Sequence, residues 1–514
     1  MKKLLPVALW LFVAFSSLFV SCNENDNDED LNKSTMSYIT IEQGVDSVYN
    51  ICKSDTLVIK PVIIQTNSEK PLSYTWEVDF QPYSHDAFFE LAVDEIGCFN
   101  CCLTVENEDD KVSFPFVINV VPDYRYGLTV LSCDGDGNSM ISFMPEPVIA
   151  GDATQFTDYD CFARSNSNVD FAAGIVDVSQ SNGNYIIACQ GGGDRNDAPA
   201  IYCLNERTMA MEGMLSVTEY ADFKPTALAV PSIAAHYYGV YYILCENGKV
   251  YDCNIYNVNE GVVLESTKLK YTYAQKCLVN VSGNSNFEIL LFDTQNRGLS
   301  LIYSGYGPYY CGESYNLSVD DSQFESANYF ANRELITMVN IRMTQNQKNL
   351  VGHQEFLAMS KLAGTPGVAT RSEVLYTDFW GFDYVNQASL FYVANQQFAT
   401  IKNNPITIST PCIANKTYYT LLFADGNKVR RWNYTTGLNN LPDAPTLLTV
   451  GGSTAQITGF EMSEDHTRTY VAFYDPGQED KNGSVWVFNT DTGEILERYD
   501  NICYRPVKML LKSR

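Results

Sequence analysis

The chain has 514 residues, of which 34 are lysine or arginine and 61 are aspartate or glutamate, giving a formal charge of -27. With 45% hydrophobic and 18% charged residues it can bury large cores, so it is not a disordered polymer. The excess of acids argues against nucleic-acid binding, because phosphate contacts need clustered lysine and arginine. It argues equally against electrostatic docking on anionic lipid.

The first 21 residues have the pattern of an export signal. Two lysines precede an apolar run, Leu4–Val20, which is short for a spanning helix and ends beside Cys22. The end of this run resembles a bacterial lipobox, although Phe19 stands where leucine is usual. The resemblance implies cleavage before Cys22 and a diacylglycerol on its thiol. An ordinary signal peptide and an uncleaved anchor are the alternatives.

Residues 22–38 are expected to form a solvated tether. The segment Asn23–Asp30 contains five acids and no apolar side chain, so it cannot enter a core. Such a run directly after a lipidated cysteine is similar to the surface-export signal of lipoproteins in Gram-negative gut bacteria. That resemblance implies lipid anchoring in the outer membrane with the protein facing outward, whereas a plain flexible linker is the alternative.

Residues 39–122 alternate in a way that predicts the short strands of a small β-sandwich. In Leu72–Val78 every second side chain is apolar, which places Trp76 inward as the central core aromatic rather than as a ligand platform. Together with Leu103–Asn107, this segment resembles the PKD (immunoglobulin-like) module. The sequence departs from the module after Asp79, where the usual Gly-Asp-Gly turn is missing.

Neither a metal nor a cofactor is expected. The Cys98–Cys102 cluster lacks a second ligand pair at zinc spacing, and its alternation predicts a strand with Cys101 and Cys102 on opposite faces. The segment 134–138 begins like a calcium loop but is not followed by the required glycine and glutamate, so a hairpin turn is predicted instead. The histidines are scattered singly, at His85, His236, His353 and His466.

Setting Cys22 aside leaves 14 of the 15 cysteines, an even number in an exported protein, so disulfides are allowed. Cys189 with Cys203, and Cys245 with Cys253, are candidates for cross-strand bridges because they lie near the ends of predicted hairpins. A buried free thiol is the ordinary outcome for cysteines in such strand patterns.

Residues 123–514 repeat a unit of apolar strand, polar turn and second strand. Strands are predicted to start near residues 128, 185, 240, 288, 335, 390, 418 and 470. Radial stacking would cover both faces of such short sheets, so we predict an all-β chain with a seven- or eight-bladed β-propeller after the sandwich. Two further sandwich domains are the alternative. The ending Asn489–Glu494 resembles the turn between the outer strands of quinoprotein- and surface-layer-type propeller blades.

The whole order of segments is similar to that of PKD-like surface lipoproteins of gut bacteria, which accompany SusC/SusD-type TonB-dependent importers. The resemblance implies a non-catalytic accessory subunit on the outer membrane that binds an oligosaccharide or oligopeptide, supports the importer, or does both. A propeller-based glycoside hydrolase or lyase is one alternative function, and a purely structural protein-binding scaffold is the other.

Two aromatic clusters are the candidate ligand contacts. Gly and Pro residues around them predict that they lie outside regular strands, where aromatic side chains are harder to explain as core. The first cluster contains Tyr306, Tyr309 and Tyr310, and the second contains Trp380, Phe382 and Tyr384. Packing between blades is the alternative role for both.

Overall fold

The computed structural model describes residues 36–513, apart from 54, 94, 147–157, 168, 182, 231–239, 255–263, 266–272, 280–286, 294–297, 304–312, 317–332, 345, 348–354, 363–371, 381–391, 402–403, 436–437 and 479–480. The chain divides into two compact units between Val121 and Pro122, one residue from the predicted boundary. Strands make up nearly all of the regular structure in both units, which confirms the all-β class.

The described part of the N-terminal unit has nine strands: β1 (Ile39–Gln43), β2 (Val48–Cys52), β3 (Thr56–Ile59), β4 (Val62–Gln65), β5 (Ser73–Val78), β6 (Gln81–Ser84), β7 (Phe89–Ala92), β8 (Gly97–Glu106) and β9 (Lys111–Val121). Five form a sheet in the order β2-β9-β8-β5-β6, in which only the β2–β9 pair is parallel. The remaining four form two antiparallel pairs, β1 with β4 and β3 with β7.

The core of this unit is centred on Trp76 of β5. Its side chain is fully buried, with ring centroids 5.0 Å from Phe89 of β7 and 6.1 Å from Phe116 of β9. The indole Nε1 donates a hydrogen bond of 2.9 Å to the carbonyl oxygen of Asp86. Because these aromatic rings come from the five-stranded sheet and from the β3–β7 pair, the cluster joins the two layers. The predicted core role of Trp76 is confirmed.

The strands of the second unit are β10 (Gly127–Cys133), β11 (Ser139–Pro145), β12 (Ile175–Ser181), β13 (Asn184–Cys189), β14 (Ala200–Asn205), β15 (Met211–Ser216), β16 (Pro225–Ala229), β17 (Val240–Cys245), β18 (Val250–Asn254), β19 (Leu264–Glu265), β20 (Tyr273–Val279), β21 (Phe287–Asp293), β22 (Gly298–Tyr303), β23 (Glu313–Asn316), β24 (Arg333–Arg342), β25 (Glu355–Leu362), β26 (Ser372–Trp380), β27 (Tyr392–Ile401), β28 (Cys412–Asn415), β29 (Thr420–Asp425), β30 (Lys428–Asn433), β31 (Thr446–Thr449), β32 (Gln456–Met462), β33 (Arg468–Tyr474), β34 (Gly483–Asn489), β35 (Ile495–Cys503) and β36 (Arg505–Lys512). A short helix, α1, spans Cys161–Ser165, and a 3₁₀ helix spans Leu438–Asp443.

These strands form consecutive four-stranded antiparallel sheets. The sheets β12–β15, β16–β19, β20–β23 and β32–β35 each follow chain order, and an eight-stranded sheet consists of β24–β27 and β28–β31 joined by a short parallel pairing of β24 with β28. The last sheet has the order β11-β10-β36, so the C-terminal strand pairs with the first strand of the unit.

The first strand of each four-stranded set and the C-terminal strand β36 contact one another in a closed circle. β12 contacts β16, and the series continues through β20, β24, β28 and β32 to β36, which contacts β12 again. Hydrophobic clusters lie between neighbouring sheets; one contains Ile141 and Tyr202, and another contains Ile186 and Ile243. Where the structure describes the side chains, one sheet therefore covers a face of the next, as the repeat pattern predicts. No helix among the described residues is long and apolar enough to cross a membrane.

Several turns follow from the sequence. β10 and β11 are joined by residues 134–138, which confirms the predicted hairpin. The predicted outer-strand turn lies between β34 and β35, where the Asn489 side chain accepts backbone hydrogen bonds from Asp491 and Thr492 and Gly493 has φ +76°. In the equivalent turn between β14 and β15, Asn205 accepts in the same way. The sequence therefore encodes this turn through the asparagine.

None of the twelve cysteines whose side chains the structure describes forms a disulfide, and both candidate pairs are among them. Cys189 lies opposite Ala200, and Cys203 lies opposite Ile186, so the strand register separates their side chains. Cys253 lies opposite Tyr241 rather than Cys245. The alternative, buried thiols in strands, describes these four residues.

Candidate functional site

The residues singled out from the sequence fall largely outside the described part of the chain. Cys22 lies there, as do Tyr306, Tyr309, Tyr310, Phe382 and Tyr384. Trp380 is the last residue of β26, where its backbone pairs with Tyr392 of β27. The expectation that this second cluster lies outside regular strands is therefore wrong for Trp380, because β26 continues up to the residue directly before Gly381.

The acidic turn at 134–138 uses its first carboxylate as a cap. Asp134 Oδ1 accepts backbone N–H groups from Asp136 at 2.9 Å and Asn138 at 2.8 Å, and its Oδ2 accepts the Asn138 side-chain amide at 2.8 Å. These bonds direct the carboxylate into its own loop, as in an Asx-type turn. Within the described residues, no group of three or more potential metal ligands converges, here or elsewhere.

A glycine-rich segment packs against this turn, which the sequence alone did not indicate. Gly191, Gly192 and Gly193 all have positive φ, at +77°, +88° and +67°. A Cβ atom on Gly193 would lie 3.2 Å from the carbonyl oxygen of Asp136, so glycine permits the close approach of the two loops. Arg195 then fixes the loop by binding the Asp197 carboxylate at 2.7 Å, and this hydrogen bond lowers the pKa of Asp197. The segment is therefore a surface loop held in place by this ion pair and by close packing at glycine.

Two buried carboxylates connect strands that belong to the closed circle of contacts. Asp177 of β12 accepts the backbone N–H of Leu228 in β16 at 2.8 Å and lies 3.1 Å from the Lys508 ammonium of β36. Glu461 of β32 pairs with the guanidinium of Arg342 at the end of β24. Both acids are therefore held by partners from other sheets, and their role is to join sheets rather than to react.

A third carboxylate anchors the start of the second unit. The hydroxyl of Tyr124, which is fully buried, donates to Asp158 Oδ2 at 2.5 Å, and Arg164 Nε donates to the same oxygen at 2.6 Å. Burial and the bond to Asp158 raise the pKa of Tyr124 far above its usual range, so the phenol stays protonated and acts as a donor.

One hydroxyl–imidazole pair has the distance of a nucleophile and its base. His466 Nδ1 lies 2.7 Å from the hydroxyl of Thr417. The neighbouring carboxylate, Asp465, accepts hydrogen bonds from Ser463 and Thr467. His466 is 2% exposed, and its backbone has φ +63° in the tight turn between β32 and β33. The pair therefore joins this turn to the turn between β28 and β29, and we assign it a structural role.

The turn between β5 and β6 places an aromatic side chain in solvent. Asp79 and Phe80 have φ +47° and +64°, and Phe80 is 78% exposed. The backbone N–H of Asp79 donates to the carbonyl oxygen of Asn100 at 2.7 Å, and the Asn100 N–H donates to Asp79 Oδ1 at 2.9 Å. These two bonds fix the tip of the hairpin to β8. The missing Gly-Asp-Gly turn was the only sequence signal for it.

No family model matches the chain, and no curated protein matches it. A quinoprotein alcohol dehydrogenase-like protein from Bacteroides thetaiotaomicron is similar in structure, with a TM-score of 0.47 and 13% identity over 90% of this chain and 96% of the other. A hypothetical selenium-binding protein from Sulfolobus tokodaii has a TM-score of 0.43 and 9% identity over 76% and 94%. Apo AztD from Citrobacter koseri has a TM-score of 0.40 and 8% identity over 75% and 96%. Similarities this low assign no activity to this chain.

Proposed function

We propose that this protein is a lipid-anchored protein of the outer-membrane surface that serves a SusC/SusD-type importer as a non-catalytic accessory subunit. It binds an oligosaccharide or oligopeptide, supports the importer, or does both. The observation that carries the proposal is the order of segments: an apolar leader ending at Cys22, an acidic tether, and then two all-β units.

In this proposal the second unit is a seven-bladed β-propeller. Six four-stranded meanders and the sheet closed by β36 supply seven first strands, and these contact one another in a circle. Closure by strands from both ends of the unit leaves no open sheet edge between the first and last blades. The N-terminal unit is interpreted as a PKD-like sandwich, since its single parallel pair, β2 with β9, accompanies otherwise antiparallel layers around Trp76.

The net negative charge of the chain supports anchoring by acyl groups rather than by electrostatic attraction to the membrane. The acids outnumber lysine and arginine by 27, so an anionic membrane surface repels the protein. A single acyl chain binds membranes only marginally, whereas the diacylglycerol of a lipobox cysteine, with a further acyl group, holds a protein firmly. The acidic tether then separates the folded units from the headgroups.

The test compares the full chain with Cys22→Ala in its native host. We expect the parent protein to incorporate an alkyne-labelled fatty acid, to sediment with outer membranes and to be cleaved by protease added to whole cells, and the variant to lose all three properties. Cys98→Ala, which removes an exposed thiol far along the chain, is the matched control and is expected to retain them. A parent protein that takes up no fatty-acid label, or that the protease cannot cleave in intact cells, would refute the proposed lipid-anchored surface location.

A second experiment addresses the importer and catalysis. Detergent-solubilised membranes should yield a TonB-dependent barrel and its lid with the tagged protein, and the purified protein should bind members of a glycan or peptide panel without releasing products. Product release would favour the glycosidase or lyase alternative. Stable co-purification without any affinity for free nutrient would favour the scaffold.

A further inference from the structure

The tip of the β5–β6 hairpin combines exposure with an unfavourable backbone. Phe80 is the most exposed large hydrophobic side chain among the described residues, at 78%. It occupies the second central position of a two-residue turn with positive φ at both positions, where asparagine and glycine are the usual residues. An aromatic residue there gains no burial and strains the backbone, so folding alone does not explain it.

The tip is also held rigidly. The paired hydrogen bonds between Asp79 and Asn100 join it to β8, which belongs to the same five-stranded sheet. A turn whose backbone is already fixed loses little backbone freedom when its exposed aromatic side chain binds, which favours a role as an interface anchor. Two more aromatic side chains follow within ten residues and are also exposed, Tyr83 at 49% and Phe88 at 43%.

The charges around these aromatics specify the partner. The stretch from residue 71 to 105 contains six acids and no lysine or arginine. Three of these acids, Asp79, Asp86 and Glu90, are exposed, and Asp79 directly precedes Phe80. Glu90 belongs to a segment beside the hairpin, since its backbone carbonyl accepts the Tyr83 hydroxyl at 3.2 Å. Such a surface repels nucleic acid and anionic lipid, and it is complementary to an apolar socket with a basic rim.

We propose that the β5–β6 hairpin is a docking site for a protein partner, with Phe80 as the anchor that enters an apolar socket bordered by lysine or arginine. This deepens the proposed function by naming a contact surface and its chemistry, and it rests on that function only for the cellular setting of the test. The acids flanking the tip steer the partner and make association weaker as salt increases.

The first test places a photo-crosslinking phenylalanine analogue at position 80 of the full chain in the native host, with position 38 as the control. Tyr38 is also exposed, at 54%, and directly precedes β1 rather than lying on the hairpin. We expect one discrete adduct from position 80 and none from position 38, and mass spectrometry should identify a different protein as the partner. An adduct between two copies of this chain, an adduct with glycan, or no adduct would overturn the inference.

The second test measures binding of that identified protein to purified variants. Phe80→Gly should weaken binding at least about tenfold while leaving thermal stability unchanged or higher, because glycine suits the positive φ. Phe80→Tyr keeps the ring and should retain most of the binding, and raising the salt concentration should weaken it. Unchanged binding by Phe80→Gly, or a loss of stability in that variant, would assign Phe80 a structural role and overturn the inference.

Failure of this inference is distinguishable from failure of the proposed function. If a barrel co-purifies in a Cys22-dependent manner but position 80 forms no adduct, only the docking site is wrong. If position 80 captures a basic protein unrelated to nutrient import, the docking site stands and the proposed function fails.

Discussion

Replacement of Trp76 should destabilise the N-terminal unit selectively. The indole is fully buried between Phe89 and Phe116 and donates one hydrogen bond to the carbonyl of Asp86, a residue that is itself exposed. Water can therefore satisfy that carbonyl in a variant, and the lost bond is worth only about 1 kcal/mol. Phenylalanine is also smaller than tryptophan, so part of the site is left unfilled. The two effects together should make Trp76→Phe lower the free energy of unfolding by about 2 kcal/mol, and Trp76→Ala should lower it by roughly 3–5 kcal/mol.

Scanning calorimetry of the full chain can separate the two units. For a unit of 60–100 residues, 1 kcal/mol corresponds to roughly 4–8 °C, so Trp76→Phe should lower one transition by about 8–16 °C and leave the other in place. The matched control is Trp486→Phe, since Trp486 is half-buried and donates its Nε1–H to Asp500 at 2.7 Å on the surface; it should change the other transition by less than about 1 kcal/mol. Equal shifts for both tryptophan variants, or no shift for Trp76→Phe, would refute the reasoning.

Three further outcomes follow from the described contacts. His466 has φ +63°, so His466→Gly should be about 1 kcal/mol more stable to urea than His466→Ala, which keeps the strained backbone, and equal stabilities would contradict this. The Arg195 hydrogen bond lowers the pKa of Asp197. The stability that this bond contributes is therefore present above the unfolded-state pKa of about 3.9 and is lost as pH falls through the lower folded-state pKa. Asp197→Asn should be up to about 1 kcal/mol less stable than the parent at pH 7 and should match it near pH 2, and a constant difference would exclude this linkage. Burial raises the pKa of Cys101 to about 12 whereas Cys98 is exposed, so peptide mapping after brief alkylation at pH 8 should show Cys98 labelled at least about tenfold faster, and comparable labelling would disprove the burial argument.

The repeat architecture could be predicted because apolar alternation and polar turns are local signals. β10, β13, β17, β21, β24, β27, β29 and β33 all begin within two residues of the predicted starts. The number of sheets could not be counted this way, since β24 and β27 are two strands of one sheet and the intervening β25 and β26 were missed. Alternation identifies a strand but carries no information about its hydrogen-bonded neighbours, which long-range pairing decides.

The core of the N-terminal unit was predictable for the same reason, whereas the proposed docking site was not. Trp76 lies on a strand whose alternation fixes its inward face. The exposure of Phe80 depends on a turn with positive φ at two residues. Aspartate suits the first of these positions, but Phe80 stands where glycine is usual, so the sequence did not predict the turn. The candidate thiol bridges do not form because their cysteines are not directly opposite each other on adjacent strands.

The pairing of β36 with β10 imposes an order on biogenesis. Synthesis proceeds from the amino end of the chain, so the strand at residues 127–133 is made about 370 residues before its partner at 505–512. During that interval β10 can pair with β11, but the edge that β36 will occupy stays open and can template pairing with other nascent polypeptides. Chains that lack β36 should therefore aggregate more readily than the full chain, because this edge is never covered.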